Sequence, residues 1–169
     1  MPSPLLDDLR AAAAHEPQWQ HLLAPYDPFK APPTSLHLAV FVEPYLTYLL
    51  EGRKTVESRF TLTPRPPYRR VLAGDLLLLK QSAGPIVGAC RAGAVWDYQL
   101  VPDSWNEIRQ DFAAALCAQD GFWDERSKAA YATLIRIESL QILPSLLVAK
   151  RDRRGWVVIL DRSATPRLL

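Results

Sequence analysis

The sequence has little of what common catalytic and metal-binding motifs need. Two cysteines, Cys90 and Cys117, are too few for a disulfide scaffold. Three histidines, His15, His21 and His37, fall at no metal-ligand spacing, and only His37 lies beyond the N-terminal stretch. That excludes a zinc site and leaves a Ser–His–Asp arrangement without support. Glycine is sparse at seven residues, and none builds a phosphate-cradling loop or a nucleophile elbow. No apolar run approaches the ~18 residues of a membrane span. Met1-Pro2-Ser3-Pro4 lacks the basic start and apolar run of a secretory leader. The expectation is a reduced, cytoplasmic protein with no resident cofactor and no sequence indication of a divalent metal. Any catalysis would rest on Lys, Glu, Asp, Arg, Tyr or Thr.

What is present is a globular mixture. Hydrophobic residues are 49% and charged residues 22% of 169, enough for a real core and too apolar for general disorder. The net charge of +2 is uninformative, but its distribution is not. Arg53 to Lys80 holds seven bases and two acids, and Lys150 to Arg154 adds four bases around Asp152. Asp97 to Arg126 holds seven acids and two bases. Two basic segments that meet would make an anion-binding surface; solvated loops with incidental charge are the plainer alternative.

Residues 1–35 read as an N-terminal helical extension that packs on a domain spanning 36–169. Ser3 is placed to cap a helix with Pro4 at its first position. Leu5, Leu6, Leu9, Trp19, Leu22 and Leu23 need an apolar surface to cover them. Leu36 to Val42 alternates as a strand, with Leu36, Leu38, Val40 and Val42 on one face. Tyr45, Leu46, Leu49 and Leu50 form the stripe of a short helix that Gly52 stops. Lys54 to Phe60, Leu76 to Lys80, Ile86 to Leu100, Tyr131 to Leu143 and Trp156 to Leu160 read as strands, with a bulge near Ser139. Ser104 to Glu107 has the form of a capping box opening a helix over about 105–119. Six strands without regular strand–helix alternation predict a small, bent, mostly antiparallel barrel with two or three peripheral helices.

The stretch Glu51-Gly52-Arg53-Lys54-Thr55-Val56-Glu57-Ser58-Arg59 carries the most information. It follows Pro44-Tyr45 and precedes a Gly74-Asp75 turn, Ile86-Val87-Gly88 and Arg154-Gly155-Trp156. Over about residues 36–160 this resembles the ASCH domain, a branch of the PUA-like superfamily, through its Gly-x-Lys-Thr-x-Glu-x-Arg motif. The resemblance implies a mainly β (α+β), PUA-like barrel whose cleft is lined by the motif. It also implies RNA or nucleotide binding, with hydrolases among the members. Small bacterial members deacylate acetylated cytidine with a lysine, a threonine and a glutamate, and others are described as ribonucleases. Lys54 matches the lysine. Three residues on, where those amidohydrolases place threonine, stands Glu57, and Thr55 sits at a different offset. Asp124 and Glu125 lie in the region of the glutamate.

Without the family, strand alternation puts Thr55, Glu57 and Arg59 on one face. Lys54 joins them only from the turn after Gly52. A buried lysine beside Glu57 would serve as a base or as a fixed cation for phosphate. Glu57 beside Arg59 would accept a base amine, or would simply be an ion pair fixing the helix–strand junction. Tyr45, Trp96, Tyr98, Trp123 and Tyr131 are stacking candidates that also suit a core. Lys80, Arg69, Arg70, Lys150, Arg151, Arg153 and Arg154 are phosphate candidates or plain surface bases.

These observations predict an RNA- or nucleotide-binding protein whose ligand contacts are Tyr45, Lys54, Thr55, Glu57, Arg59 and Lys80. The alternatives are a hydrolase of RNA or of a modified nucleoside, with Lys54 and Glu57 as its catalytic pair, and an interaction scaffold.

Overall fold

The computed structural model describes residues 3–149 and 153–168. Helices α1 (Pro4–Ala12) and α2 (Pro17–Leu23), joined by a 3-10 turn, precede strand β1 (Leu36–Phe41) and helix α3 (Tyr45–Leu50). Strands β2 (Val56–Thr61), β3 (Leu76–Gln81) and β4 (Ile86–Gln99) follow. Helices α4 (Pro102–Phe112) and α5 (Phe122–Glu125) then lead to β5 (Tyr131–Leu146) and β6 (Trp156–Leu160). The six strands form one mixed sheet in the order β2-β5-β4-β3-β1-β6, an α+β fold. No described helix is long and apolar enough to cross a membrane.

Strands β1–β6, β2–β5 and β3–β4 pair antiparallel, whereas β1 pairs with β3 in parallel, Leu36 opposite Leu76 through Phe41 opposite Gln81. The long segment between them, which includes α3 and β2, supplies the crossover that a parallel pair requires. The chain divides into two compact units.

The first unit draws on the described parts of Met1–Val42, Gly74–Arg91 and Ser139–Leu169. Its core holds Leu6, Leu9, Trp19, Leu23 and Tyr26 of the N-terminal stretch together with Leu36, Leu38, Leu76, Leu78, Val157 and Ile159. Ser3 does cap α1, accepting from the Leu5 N–H at 3.2 Å. The Trp19 indole N–H donates to the Pro144 carbonyl at 2.7 Å, so the largest apolar side chain of α2 is buried with its polar atom satisfied. Both faces of strand β1 are covered: His37 and Ala39 are buried as well as Leu36 and Leu38. A strand with neighbours on both edges, β3 and β6, can bury a histidine only if its ring nitrogens are satisfied. His37 Nδ1 accepts from the Trp156 indole N–H at 3.2 Å. An indole can only donate, so the proton sits on Nε2, which faces Asp75 Oδ2 at 3.1 Å. Asp75, from the Gly-Asp turn, also accepts from the Ser35 N–H at 3.0 Å and from Arg162.

The second unit comprises Glu43–Ala73 and Ala92–Glu138. Val56, Ile108, Leu116, Phe122, Ala132 and Leu134 form its core, and Tyr45, Phe60, Trp96, Phe112 and Trp123 pack around them. Helix α4 begins at Pro102, earlier than its capping box suggested, and ends at Phe112. Ser104 is its third residue rather than its cap, and its hydroxyl reaches back to accept from the Val101 N–H at 2.8 Å. Strand β2 starts at Val56, later than predicted, because Arg53 and Lys54 donate their N–H groups to the Tyr48 carbonyl and so belong to the turn. Gly52 takes φ +77° there, a conformation that costs a side-chain-bearing residue about 1–2 kcal/mol.

Candidate functional site

The turn after α3 delivers Lys54 into the second unit. Its backbone is held by Tyr48, and Thr55 is pinned by its own backbone: N–H to the Ala115 carbonyl at 3.0 Å, C=O to the Ile137 N–H at 2.9 Å. The Thr55 side chain is exposed and stands apart from the buried motif residues. Lys54 is only 2% exposed. Its Nζ donates to the Leu116 carbonyl at 3.3 Å and lies 5.5 Å from the centre of the Tyr45 ring. Burial draws the Lys54 ammonium below the ordinary lysine range of 10.5; Glu57 and Cys117 pull it back up, and Arg59 and Arg126 press it down.

Strand β2 supplies the other motif residues. Glu57 pairs with Ile135 and Arg59 with Thr133 across the antiparallel ladder to β5, so Glu57 and Arg59 share the predicted face. Glu57 Oε1 accepts from the Ser58 N–H at 2.8 Å and sits 3.5 Å from Arg59 Nε. Glu57 Oε2 is buried and has no hydrogen-bond partner among the described residues. Burial weighs against the Arg59 guanidinium, and Glu57 is the chief influence holding it charged. Along the same ladder the buried Thr133 hydroxyl donates to Asp97 Oδ1 at 2.7 Å.

Arg126 completes the cluster. Its guanidinium lies 3.7 Å over Phe122 and 5.8 Å from the Tyr45 ring centre, and it donates to the Phe122 carbonyl at 2.9 Å. Three cations, Lys54, Arg59 and Arg126, therefore act on one another beside Glu57, and Arg126 also pairs with exposed Glu125 at 3.6 Å. A cationic cluster with a buried acceptor unpaired among the described residues can hold a ligand that brings negative charge and an N–H or O–H donor.

Of the predicted contacts, Tyr45, Lys54, Glu57 and Arg59 come together here. Lys80 belongs to the first unit, where its buried Nζ donates to the Gln81 carbonyl at 3.1 Å. Arg126 and the Leu116–Cys117 backbone were not anticipated. Cys117 reads from sequence as a buried small hydrophobe, but it is half-buried at φ 54° with a direct electrostatic influence on Lys54. Trp96 packs edge-on to Phe112 at 4.8 Å and Tyr131 to Tyr68 at 5.0 Å, both within the unit's aromatic packing. Asp124 and Glu125 are exposed on α5. Lys150 and Arg151 lie outside the described residues. Among the described residues no three His, Cys, Asp or Glu side chains gather as metal ligands would.

The ASCH domain model matches residues 40–141, more than half of the chain and all of the Lys54 cluster. The chain belongs to the ASCH domain family. That family is generally linked to RNA binding. Among solved structures, the ASCH protein of Zymomonas mobilis has the same fold. It is 11% identical, with a TM-score of 0.53 over 66% of this chain and 72% of that one. A tyrosine-to-phenylalanine mutant of the same protein gives 11% identity and a TM-score of 0.59 over 75% of this chain and 91% of that one. A serine-to-alanine mutant gives 11% and 0.59 over 75% and 89%. No curated protein matches the sequence. Identity this low makes the ASCH likeness one of fold.

Proposed function

We propose that the Lys54 cluster binds RNA or a nucleotide. Lys54 and Arg59 face phosphate or a base acceptor, Glu57 accepts an N–H from a base edge, and Tyr45 offers its ring for stacking. The observation that carries this reading is the buried Glu57 Oε2, an acceptor with no donor among the described residues, beside Lys54 and Arg59. A buried unsatisfied carboxylate oxygen costs stability, and a ligand N–H removes that cost. The test is fluorescence anisotropy of a labelled single-stranded RNA titrated with salt. Affinity should fall linearly on a log–log salt plot, and Lys54→Met should weaken it by about tenfold. RNA affinity equal in wild type and Lys54→Met would refute the reading.

A second reading, a hydrolase of RNA or of a modified nucleoside, is favoured by the lowered Lys54 ammonium beside Glu57, a lysine made available as a base. Product detected by mass from RNA or acetylated cytidine, and lost in Lys54→Met, would support it. No product from either would sink it.

A further inference from the structure

An open hollow on the second unit shares no lining residue with the Lys54 cluster. It measures about 310 Å³ and is lined by Pro102, Trp105, Asn106, Arg109 and Ser127. The first four are one stripe of α4, at i, i+3, i+4 and i+7, and Ser127 faces them from beyond α5. Helix α4 turns Ile108 to the core, and of the stripe Trp105 packs inward on Phe60 while Pro102, Asn106 and Arg109 stay exposed. We propose that this cavity is a binding site for a single nucleotide unit, an aromatic base carrying a phosphate.

The floor is Trp105, and it is rigid. The indole is stacked on Phe60 at 5.4 Å with only 5° between planes, and Trp123 stands against it at 6.4 Å and 86°. Trp123 braces the Trp105 ring from the side, and stacking on such a floor tolerates any base. The polar groups are set around it. Arg109 is the cavity's one charged side chain, with its guanidinium 5.4 Å from the Trp123 ring centre and no carboxylate paired to it among the described residues. The exposed Asn106 amide and Ser127 hydroxyl make no side-chain hydrogen bond among the described residues, leaving a donor–acceptor pair for a base edge and a hydroxyl for sugar or phosphate. The acids of α4 do not oppose an anion here. Asp103, Glu107 and Asp111 repeat at i, i+4 and i+8, a stripe turned about 150° from the cavity stripe at 100° per residue. The helix thus separates its charge, one arginine toward the cavity and three carboxylates away.

Strand alternation sets the site apart from Glu57 and Arg59, while Arg126, 6.0 Å from the Phe60 ring centre, stands beside its support. Phe60, which supports Trp105, lies on the face of β2 opposite Glu57 and Arg59.

The experiment is a titration of ¹⁵N-labelled full-length protein with AMP, CMP, GMP and UMP at millimolar concentrations, following the tryptophan indole N–H signals. The Trp105 signal is assigned by its loss in Trp105→Phe. All four nucleotides should move that signal, and each monophosphate should bind more tightly than its nucleoside. Arg109→Glu should weaken binding by about tenfold, as should Asn106→Leu to a lesser degree; both positions are exposed, so neither change should unfold the chain. Lys54→Met should leave this binding as it is, which separates its failure from that of the Lys54 site. A Trp105 signal that none of the four nucleotides moves would overturn the proposal. So would a response that survives Arg109→Glu or that disappears in Lys54→Met.

Discussion

Replacing Glu57 with glutamine removes the carboxylate that holds both Lys54 and Arg59 charged. Glu57 Oε1 is 3.5 Å from Arg59 Nε, with the two side chains 7% and 18% exposed. At an effective dielectric of ~20 the attraction at that distance is roughly 5 kcal/mol. Relief of the carboxylate's own desolvation, which amounts to several kcal/mol, offsets part of this. Glutamine also keeps an oxygen for the Ser58 N–H. The net loss should be about 3 kcal/mol, within the range for taking one partner from a buried pair. With a urea m-value of ~2 kcal/mol/M, the unfolding midpoint should fall by about 1.5 M. The two cations respond differently. Lys54 sheds its proton more readily, since Glu57 is its largest upward influence, whereas a guanidinium cannot. In the Glu57→Gln background, Arg59→Met should therefore recover more of the loss than Lys54→Met does. A Glu57→Gln midpoint within about 0.2 M of wild type would refute the electrostatic account of the cluster.

Lys54 should also leave a pH signature. Its folded value lies below the unfolded 10.5, so between the two the unfolded chain binds more protons and stability rises with pH; below the folded value both states are protonated and the cost of the buried cation is felt in full. Lys54→Met should flatten that rise and add about 0.5–2 kcal/mol at neutral pH, read by urea unfolding at a series of pH values up to 10.5. Asp75→Ala should cost about 3–5 kcal/mol in the same assay, because it strands buried His37, the Ser35 N–H and Arg162 together. Gly88→Ala should destabilise by about 1–3 kcal/mol, since the added Cβ would stand 2.5 Å from the Gln141 carbonyl oxygen; a thermal melt unchanged from wild type would contradict that close approach.

Local signals in the sequence carried the fold a long way. Ser3 before Pro4, the stripe Tyr45, Leu46, Leu49 and Leu50, and the phase reversal at Ser139 are short-range features. All three appear in the structure, the last with Ser139 at φ 51°. Strand periodicity likewise placed Glu57 and Arg59 on one face. The failures are long-range. The double burial of β1 depends on β3 and β6 as neighbours, and period-2 patterning cannot report how many edges a strand has covered. The same limit hid Arg126. It lies in the acid-rich stretch, far along the chain from Lys54, and only the packing of Phe122 brings it there. Helix α4 shows a second, local kind of error, in which a serine followed by a glutamate looked like a cap, yet Val101 and Pro102 had already begun the helix.

The N-terminal helices bear on how the smallest self-sufficient piece of this chain should be drawn. The family match begins at residue 40 and ends at 141. A chain cut there would lose Leu6, Leu9, Trp19, Leu23 and Tyr26, each at most 2% exposed, along with most of β1 and all of β6. Strand β3 would keep β4 on one side and lose on the other a parallel partner that a hairpin cannot replace. Leu76 and Leu78 would be opened to water, at about 1.5–3 kcal/mol for each leucine. The segment that defines membership in the family thus leaves out part of the core it packs on, and a fragment cut at the alignment boundary should expose that core.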